Sequence, residues 1–190
     1  MDTYQKILTC AAELFAEKGF EAVSMRDIAS QAGMRAPSLY NHFRDKQSLY
    51  QATLHEVFSQ HNTALIGVLT STDDPHGKLQ QVVHISLLKM AEEPNFRLLL
   101  QRELLQNERD RLQFLAEEVM ADTCHQLQAI LQLINPQADH HFVITSLMGH
   151  LLFHVQIAQM RDFLPGVEDK HADLAYLSQQ IYDSLLKSLK

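Results

Sequence analysis

The chain has 190 residues, a formal net charge of −7, 46% hydrophobic residues and 21% charged residues, a balance typical of a soluble globular protein with a substantial core. No apolar run approaches the roughly 20 residues that span a membrane, and no leader segment is visible, which predicts a cytoplasmic protein without a membrane partner. Two cysteines, Cys10 and Cys124, are too few to suggest a disulfide framework.

Apolar residues recur at helical spacing along the whole chain, and no segment alternates with the two-residue period of a strand. The sequence therefore predicts an all-α protein with about nine helices. The first helix covers about residues 3 to 18 and ends at Gly19, which suits a left-handed C-cap. Its inward face is expected to carry Ile7, Ala11, Leu14 and Phe15.

Residues 24–46 predict two short helices that are joined by a tight turn. Ser24 can cap the first of them, and Asp27 follows at the spacing of a capping box. Gly33 suits the turn, and Pro37 suits the first position of the second helix. The arrangement is typical of a helix-turn-helix, in which the second helix enters the major groove of DNA. That helix is expected to place Leu39 and Phe43 inward and Ser38, Tyr40, Asn41 and His42 outward.

Six further helices are predicted to form a C-terminal bundle. The fourth helix begins after Asp45, which can cap it, and ends at a loop over residues 70–75. Prolines mark the next boundaries, because proline starts helices well and does not continue them. The predicted spans are 75–93 for helix 5, 95–106 for helix 6, 109–134 for helix 7, 139–162 for helix 8 and 169–189 for helix 9.

The first fifty residues carry several motifs in a fixed order. The first helix ends in Glu-Lys-Gly-Phe, and Ser24, Ile28-Ala29, Ala32-Gly33, Leu39 to Phe43 and Asp45 to Leu49 follow at regular spacing. Over residues 3–50 this set resembles the N-terminal domain of the tetracycline-repressor (TetR) family. The resemblance implies a dimeric, ligand-responsive transcription regulator, usually a repressor. It also implies a DNA-binding domain of helices 1 to 3 over residues 1–47 and a ligand-binding and dimerisation domain over residues 48–190.

The resemblance further implies that DNA meets the start of helix 2, the outer side of helix 3 and the start of helix 4. Arg26 can form two hydrogen bonds with a guanine edge, whereas Tyr40 and Lys46 can reach phosphates. Arg26 and Lys46 could instead be ordinary solvated surface residues, and Tyr40 could pack over the turn, but the joint placement of the three favours DNA binding. Ala36 can offer only a methyl contact to thymine. Carried over by position, the DNA-binding residues are Ser24, Met25, Arg26, Arg35, Ala36, Pro37, Ser38, Tyr40, His42 and Lys46.

The charge of the chain is unevenly distributed. Residues 1–52 hold six basic and six acidic side chains, so the whole deficit of seven charges lies in residues 53–190. DNA binding normally relies on lysine and arginine to neutralise phosphates. The affinity of a neutral module is therefore expected to depend on geometry, on dimerisation and on a few direct contacts.

Helices 8 and 9 are apolar enough to be buried on more than one side. Their pattern fits an internal core and a four-helix interface between two subunits equally well, and the resemblance favours the interface. Gly149 in helix 8 would permit two helices to approach closely. The predicted interface residues are Phe142, Leu147, Gly149, Leu151, His154, Leu174, Leu177, Ile181 and Leu185.

A pocket for a small, largely apolar effector is predicted among helices 4 to 8, although the same residues could be ordinary core. His150 and His154 lie one helical turn apart and could chelate a metal ion. Two ligands do not complete a site, and no Cys-x-x-Cys or His-Glu-x-x-His motif accompanies them. We therefore predict neither a metal nor a cofactor. The predicted pocket residues are Phe58, Val83, Leu87, Met90, Leu100, Leu104, Met120, Phe142 and His150.

These patterns together predict a sequence-specific transcriptional regulator that binds double-stranded operator DNA as a homodimer. The preferred interpretation is a repressor that leaves a palindromic operator when the effector binds. The sequence has no phosphate-binding glycine loop, dinucleotide fingerprint or nucleophile elbow, so it does not predict an enzyme. The alternatives are a transcriptional activator, and a helical small-molecule-binding or enzymatic protein with a non-functional helix-turn-helix.

Overall fold

A computed structural model describes residues 2–71 and 74–189 of the chain. Within these ranges the regular secondary structure is helical and no strand is present, which confirms the all-α prediction. A π-helical turn covers Leu115–Val119, and a short 3₁₀ segment covers Asp169–Ala172. The helices are α1 (Thr3–Lys18), α2 (Met25–Gln31), α3 (Ala36–Tyr40), α4 (Lys46–Leu69), α5 (Pro75–Glu92), α6 (Pro94–Gln106), α7 (Arg109–Phe114), α8 (Ala121–Ile134), α9 (His140–Gln156), α10 (Ala158–Arg161) and α11 (Leu174–Ser188).

The chain divides into two compact units, and the first consists of Met1–Gln60 and Pro94–Met120. In this unit α1 packs against α2 and α6, and α2 packs against α3. Phe15 is fully buried, and its ring meets the ring of Tyr50 edge-on with 4.7 Å between their centres. The inward face predicted for α1 is buried as expected. The core of this unit includes Ile7, Ala11, Leu14, Ile28, Leu39, Leu49, Leu54 and Leu99.

The second unit consists of His61–Glu93 and Ala121–Lys190. Its central helix is α5, because α8, α9 and α11 all pack against it. Asp74 caps α5 by accepting hydrogen bonds from the N–H groups of His76 at 2.9 Å and Gly77 at 3.1 Å. The core of this unit includes Leu79, Val83, Leu87, Leu131, Val143, Leu147, Ile181 and Leu185.

The longest helix, α4, begins in the first unit and ends in the second. Asp45 caps it as predicted, since its Oδ1 accepts a hydrogen bond from the N–H of Ser48 at 2.8 Å. Residues 72 and 73 of the predicted loop after α4 lie outside the described residues. In the part of the chain that the structure describes, no helix is long and apolar enough to cross a membrane. The functional division at residues 47 and 48 stays a prediction.

The helix predicted over residues 109–134 is in fact two helices, α7 and α8, separated by the π-helical turn. In that turn the N–H of Met120 donates to the carbonyl oxygen of Leu115, five residues back, at 2.9 Å. The extra residue rotates all following side chains by about 100°. Leu115 and Val119 can therefore be buried in the first unit while the apolar face of α8 is buried in the second.

The helix predicted over residues 139–162 ends early, as α9. Ile157 has φ −89° and ψ 9°, so the backbone leaves the helical path there. The guanidinium group of Arg161 in α10 donates to the carbonyl oxygens of His154 and of His171. These bonds satisfy a carbonyl at the end of α9 and attach the following loop to it, which stabilises the break.

The last helix, predicted over residues 169–189, starts later than expected. Asp169–Ala172 form the 3₁₀ segment, and α11 begins at Leu174. The reason is a cap, because the carboxylate of Asp173 accepts a hydrogen bond from the N–H of Ala175 at 2.7 Å. Periodicity alone could not locate this start, since the apolar stripe does not indicate which aspartate caps the helix.

Candidate nucleic-acid interface

The N-terminus of α2 is closed by reciprocal hydrogen bonds between Ser24 and Asp27. The Ser24 hydroxyl accepts a bond from the Asp27 N–H at 3.2 Å, and Oδ2 of Asp27 accepts one from the Ser24 N–H at 2.8 Å. The hydroxyl also donates to Oδ2 at 2.6 Å. This is the predicted capping box. Its hydrogen bonds from Ser24 hold the pKa of the Asp27 carboxyl below the usual value.

We expect Ser24→Ala to lower the free energy of unfolding by about 1 kcal/mol, because α2 loses its cap. The loss should depend on pH. A carboxyl whose pKa is lowered by folding stabilises the fold above its unfolded pKa of about 4, and this stabilisation disappears as the pH falls through the folded-state pKa.

Denaturant unfolding of wild type and Ser24→Ala at several pH values measures this dependence. The difference in the free energy of unfolding between the two proteins should become smaller below about pH 4. Ser30→Ala is a matched control, because Ser30 is an exposed serine within the same helix. A difference that stays constant into acid would contradict the part assigned to the Asp27 carboxylate.

The turn between α2 and α3 depends on Gly33, as predicted. Its φ of +69° lies in the left-handed region that other residues rarely adopt. The N–H of Gly33 donates to the carbonyl of Ser30 at 3.0 Å, and the N–H of Met34 donates to the carbonyl of Ala29 at 2.9 Å. These bonds end α2 and direct the chain into α3 within a few residues.

The short helix α3 is anchored by a single residue, Leu39, which is fully buried. Just beyond the helix, Phe43 is also buried and stacks on Tyr4 of α1 with 5.2 Å between ring centres. Both inward-facing residues are therefore confirmed. Pro37 is the second residue of α3, one position later than predicted, since Ala36 precedes it. Ser38, Tyr40 and His42 are exposed, as is Pro37.

Two arginines lie near this exposed face, Arg26 in the first turn of α2 and Arg35 as the N-cap residue of α3. Both are exposed, and no ion pair within residues 2–71 and 74–189 involves either of them. Their guanidinium groups are therefore open to an anion. Met25 differs from the other residues predicted to meet DNA, because its side chain is buried. It could reach DNA only through its backbone N–H.

Lys46, at the start of α4, already has partners. Its ammonium donates to the carbonyl oxygens of Phe20 at 2.8 Å and of Glu21 at 3.4 Å, and it lies 4.3 Å from the centre of the Phe20 ring. An ammonium has three N–H donors, so one donor remains for a phosphate. Nothing in the local sequence around Lys46 indicated that the loop after α1 holds this side chain.

The C-terminal end of α1 is satisfied by a side chain that the sequence did not indicate. Gly19 has a positive φ of 82° but a ψ of 164°, so it does not form the left-handed cap that was predicted. Instead, Arg102 of α6 donates to the carbonyl oxygens of Ala16 at 2.8 Å and Glu17 at 2.5 Å. Residues so far apart in sequence cannot be paired by spacing.

The residues predicted to line an effector pocket belong to both units. In the first unit Phe58 is buried against Phe96, with 4.7 Å between ring centres, whereas Leu104 is half exposed. In the second unit Val83, Leu87 and Met90 are core residues, while Phe142 is largely exposed. The pocket remains a prediction. Leu100, Met120 and His150 are intermediate in exposure. The second unit has a surface cleft of about 200 Å³, which none of the predicted pocket residues lines. Its lining residues are Arg161, Asp162, Val167, Glu168, Asp169 and Ala172.

The residues predicted to form a dimer interface divide into a buried and an accessible group. Leu147, Leu151, Leu177, Ile181 and Leu185 lie in the core of the second unit, whereas Phe142 and Gly149 are exposed and His154 and Leu174 are intermediate. Two further apolar residues of α9, Met148 and Phe153, are exposed and were not predicted. Only the accessible group is open to a second subunit.

The histidine pair on α9 is not arranged around a common point. The rings of His150 and His154 are nearly parallel, at 21° to each other, with 6.2 Å between centres. Nδ1 of His150 lies 2.7 Å from the carbonyl oxygen of Ser146. Burial lowers the pKa of His154, and the nearby Arg161 guanidinium lowers it further. Among the described residues, no group of three or more His, Cys, Asp and Glu side chains is placed to hold a metal ion.

Residues 7–53 match the sequence pattern of the bacterial regulatory proteins of the tetR family. Over 78 residues the chain is 33% identical to the HTH-type transcriptional activator FasR of Mycolicibacterium smegmatis, covering 41% of this chain and 36% of FasR. It is 38% identical over 78 residues to the HTH-type transcriptional repressor KstR2 of Rhodococcus jostii, covering 41% of this chain and 31% of KstR2. The match thus spans about a third of these curated relatives.

The likeness in fold covers almost the whole chain. The crystal structure of the transcriptional regulator FadR from Bacillus subtilis in complex with stearoyl-CoA superposes with a TM-score of 0.79 and 22% identity, covering 97% of this chain and 98% of FadR. The ketosteroid transcriptional regulator KstR2 of Mycobacterium tuberculosis gives a TM-score of 0.67 and 21% identity, covering 99% and 93%. At these identities the similarity establishes a common fold.

Proposed function

Because the chain belongs to the tetR family of bacterial regulatory proteins, we propose that it binds DNA sequence-specifically in the cytoplasm and represses transcription. The observation that carries the proposal is the exposed face of α3. Leu39 alone anchors this helix, while Ser38 and Tyr40 are exposed. A helix that contributes one residue to the core and offers polar side chains to solvent suits the major groove of DNA.

In the proposed complex α3 lies in the major groove and the first turn of α2 lies beside it. Arg26 would read a guanine edge through two hydrogen bonds, and the hydroxyl groups of Ser38 and Tyr40 would bind phosphates. Arg35 precedes α3 and His42 follows it, and both are exposed. They can reach the DNA phosphates on the two sides of the major groove. Positioning and base reading are therefore divided among different side chains.

We further propose a homodimer formed through α9 and α11. A symmetric dimer would hold two copies of α3 about 34 to 36 Å apart, which matches successive major grooves on one side of the DNA. The exposed apolar residues of α9 support this proposal, because Phe142 and Phe153 are 56% and 60% accessible in the isolated chain. Apolar surface of this kind is typical of an interface.

Selection of bound sequences from random DNA tests the proposed function. We expect enrichment of a palindrome whose half-sites are centred about 10 base pairs apart, since each subunit presents one α3 helix. Failure to enrich any sequence, even at low salt where binding to phosphates is strongest, would contradict the proposal. That result would favour a helical ligand-binding or enzymatic protein with a non-functional helix-turn-helix.

We expect Arg26→Ala to weaken operator binding by about 1 to 3 kcal/mol and to relax the preference for one base pair in each half-site. Binding of a series of operator variants, each with one changed base pair, measures both effects. Arg109→Ala is the matched control, because Arg109 is also exposed and its loss changes the charge equally. Equal weakening on every operator variant would show that Arg26 binds a phosphate.

We also propose that a small, largely apolar effector binds the C-terminal bundle and releases DNA. The continuous helix α4, which belongs to both units, is the element that would transmit the change. An effector can shift the equilibrium only by its difference in affinity for the two conformations. Stearoyl-CoA is a suitable first probe, because the FadR structure contains it.

Titration of stearoyl-CoA and of shorter acyl-CoA compounds into the protein–operator complex tests this release mechanism. We expect at least one compound to lower operator affinity at saturation. An effector that binds the protein and leaves operator affinity unchanged would contradict it. In vitro transcription from the selected operator then distinguishes a repressor from an activator, the function named for FasR.

A further inference from the structure

A buried carboxylate lies inside the first unit. Glu103 of α6 has no exposed surface. Its Oε1 accepts a hydrogen bond from the Tyr50 hydroxyl at 2.5 Å, and its Oε2 accepts one from Nε of Arg111 at 2.8 Å. Arg111 is fixed further by a bond to Oε1 of Gln106 at 2.6 Å. A charge in such a place destabilises a fold unless it is paired, so its partners are held in a defined arrangement.

The Tyr50 hydroxyl acts as the donor in this arrangement. Burial and the hydrogen bond to Glu103 raise the pKa of Tyr50, so the phenol keeps its proton. The ring of Tyr50 is itself packed between aromatic neighbours, with 4.7 Å to the centre of Phe15 and 4.8 Å to the centre of Phe20. Glu103 therefore fixes an aromatic cluster as well as an arginine.

Phe20 connects this cluster to the start of α4. The guanidinium carbon of Arg111 lies 5.4 Å from the centre of the Phe20 ring, and Nζ of Lys46 lies 4.3 Å from the same point. The Lys46 ammonium also donates to the carbonyl oxygen of Phe20. A chain of direct contacts thus runs from Glu103, through Arg111 and Phe20, to the ammonium at the start of α4.

We propose that Glu103 is a positioning residue for DNA binding, which holds the Lys46 ammonium at the place where it meets a DNA phosphate. The inference rests on the proposed DNA-binding function. Lysine has a long flexible side chain, and fixing it before binding reduces the entropy that the complex would otherwise lose. Glu103 cannot touch DNA itself because it is fully buried, so it acts through Arg111 and through Phe20 in the loop after α1.

A double-mutant cycle tests the proposal. Operator affinity is measured for wild type, Glu103→Gln, Lys46→Met and the double variant between 50 and 200 mM salt, the range over which phosphate contacts weaken strongly. We expect Glu103→Gln to weaken binding by about threefold to tenfold. The slope of the logarithm of the binding constant against the logarithm of the salt concentration (the salt slope) should become smaller in magnitude by about one, as the loss of one phosphate contact does. In the Lys46→Met background it should have no further effect. Additive effects, or an unchanged slope, overturn the proposal.

A second variant guards against loss of folding, because Glu103→Gln leaves Arg111 without a charged partner. The triple variant Tyr50→Phe/Glu103→Met/Arg111→Met removes the two charges and the hydroxyl group together. Protein folds often tolerate such a replacement of a buried ion pair by apolar residues of similar size. It should show the same loss of affinity and slope. Wild-type affinity in the folded triple variant overturns the proposal.

Glu118→Gln is the matched control, since Glu118 is an exposed glutamate of the same unit and its loss changes the net charge equally. Its operator affinity should equal that of wild type or rise slightly, because removing a negative charge reduces repulsion of DNA. A loss as large as that of Glu103→Gln would show that the effect is not specific to the buried carboxylate and would overturn the proposal. If wild type binds no operator, the proposed function fails. If wild type binds and the Glu103 variants bind equally well, only the positioning role fails.

Discussion

Gly149→Leu is expected to convert the dimer into a monomer and to weaken operator binding by about 100-fold or more, because two linked contacts become one. Gly149 is exposed on α9, and a Cβ atom built on it meets nothing within 4 Å. A single subunit therefore has room for leucine. Two α9 helices that approach closely at this glycine do not, so the substitution acts on the interface.

The folded subunit should keep its stability in this variant. Leucine in place of glycine within a helix stabilises it by about 0.5 to 1 kcal/mol, since glycine loses more backbone freedom on folding. Sedimentation velocity and thermal unfolding separate the two effects. Gly67→Leu is the matched control, because Gly67 is likewise exposed, helical and open on its Cβ side, but lies on α4. A Gly149→Leu protein that stays dimeric would exclude this part of α9 from the interface.

Leu39→Ala should have the second large effect, a loss of about 2 to 5 kcal/mol in the free energy of unfolding. Leu39 is fully buried and is the only buried residue of α3, so a cavity there detaches the whole helix from its support. Operator affinity should fall as well, because the side chains of α3 lose their fixed position.

Tyr40→Ala, at the position next to Leu39, separates a loss of stability from the loss of a DNA contact. The Tyr40 side chain is 53% exposed, so its loss should change unfolding by no more than about 0.5 kcal/mol. If Tyr40 meets DNA, operator affinity should nevertheless fall by about 1 to 3 kcal/mol. Denaturant unfolding and operator titration of both variants distinguish an anchoring residue from a contacting one. Full operator affinity in the folded Tyr40→Ala protein would show that another face of α3 meets DNA.

The helix-turn-helix could be predicted from the sequence because its determinants are local. Ser24 and Asp27 bond across three residues, Gly33 adopts a backbone angle that favours glycine, and Leu39 occupies the single inward position of α3. The cap and the turn depend on neighbouring residues alone, and the inward position of Leu39 follows from the spacing of apolar residues along α3. The surrounding fold adjusts such features little, so the structure reproduces them.

Other features depend on residues that are distant in sequence, and these were missed. Arg102 binds carbonyl oxygens of α1 more than eighty positions earlier, and Glu103 binds Tyr50 across 53 positions. A polar residue in the apolar register of α6 signals that a partner is needed, but spacing cannot say which one. The π-helical turn before α8 contains no glycine or proline, so nothing in its local sequence marked the break.

The exposed face around α3 also bears on how the protein would find its operator among much non-specific DNA. Asp27 and Asp45 place carboxylates at the N-termini of α2 and α4, where the backbone N–H groups would otherwise attract phosphates. Hydrogen bonds from Ser24 and Ser48 lower the pKa values of the two groups, so both are charged at neutral pH. The general attraction to the DNA backbone is thereby reduced. We therefore expect bulk chromosomal DNA to compete weakly for the proposed dimer, so that its occupancy follows the base sequence of the two half-sites.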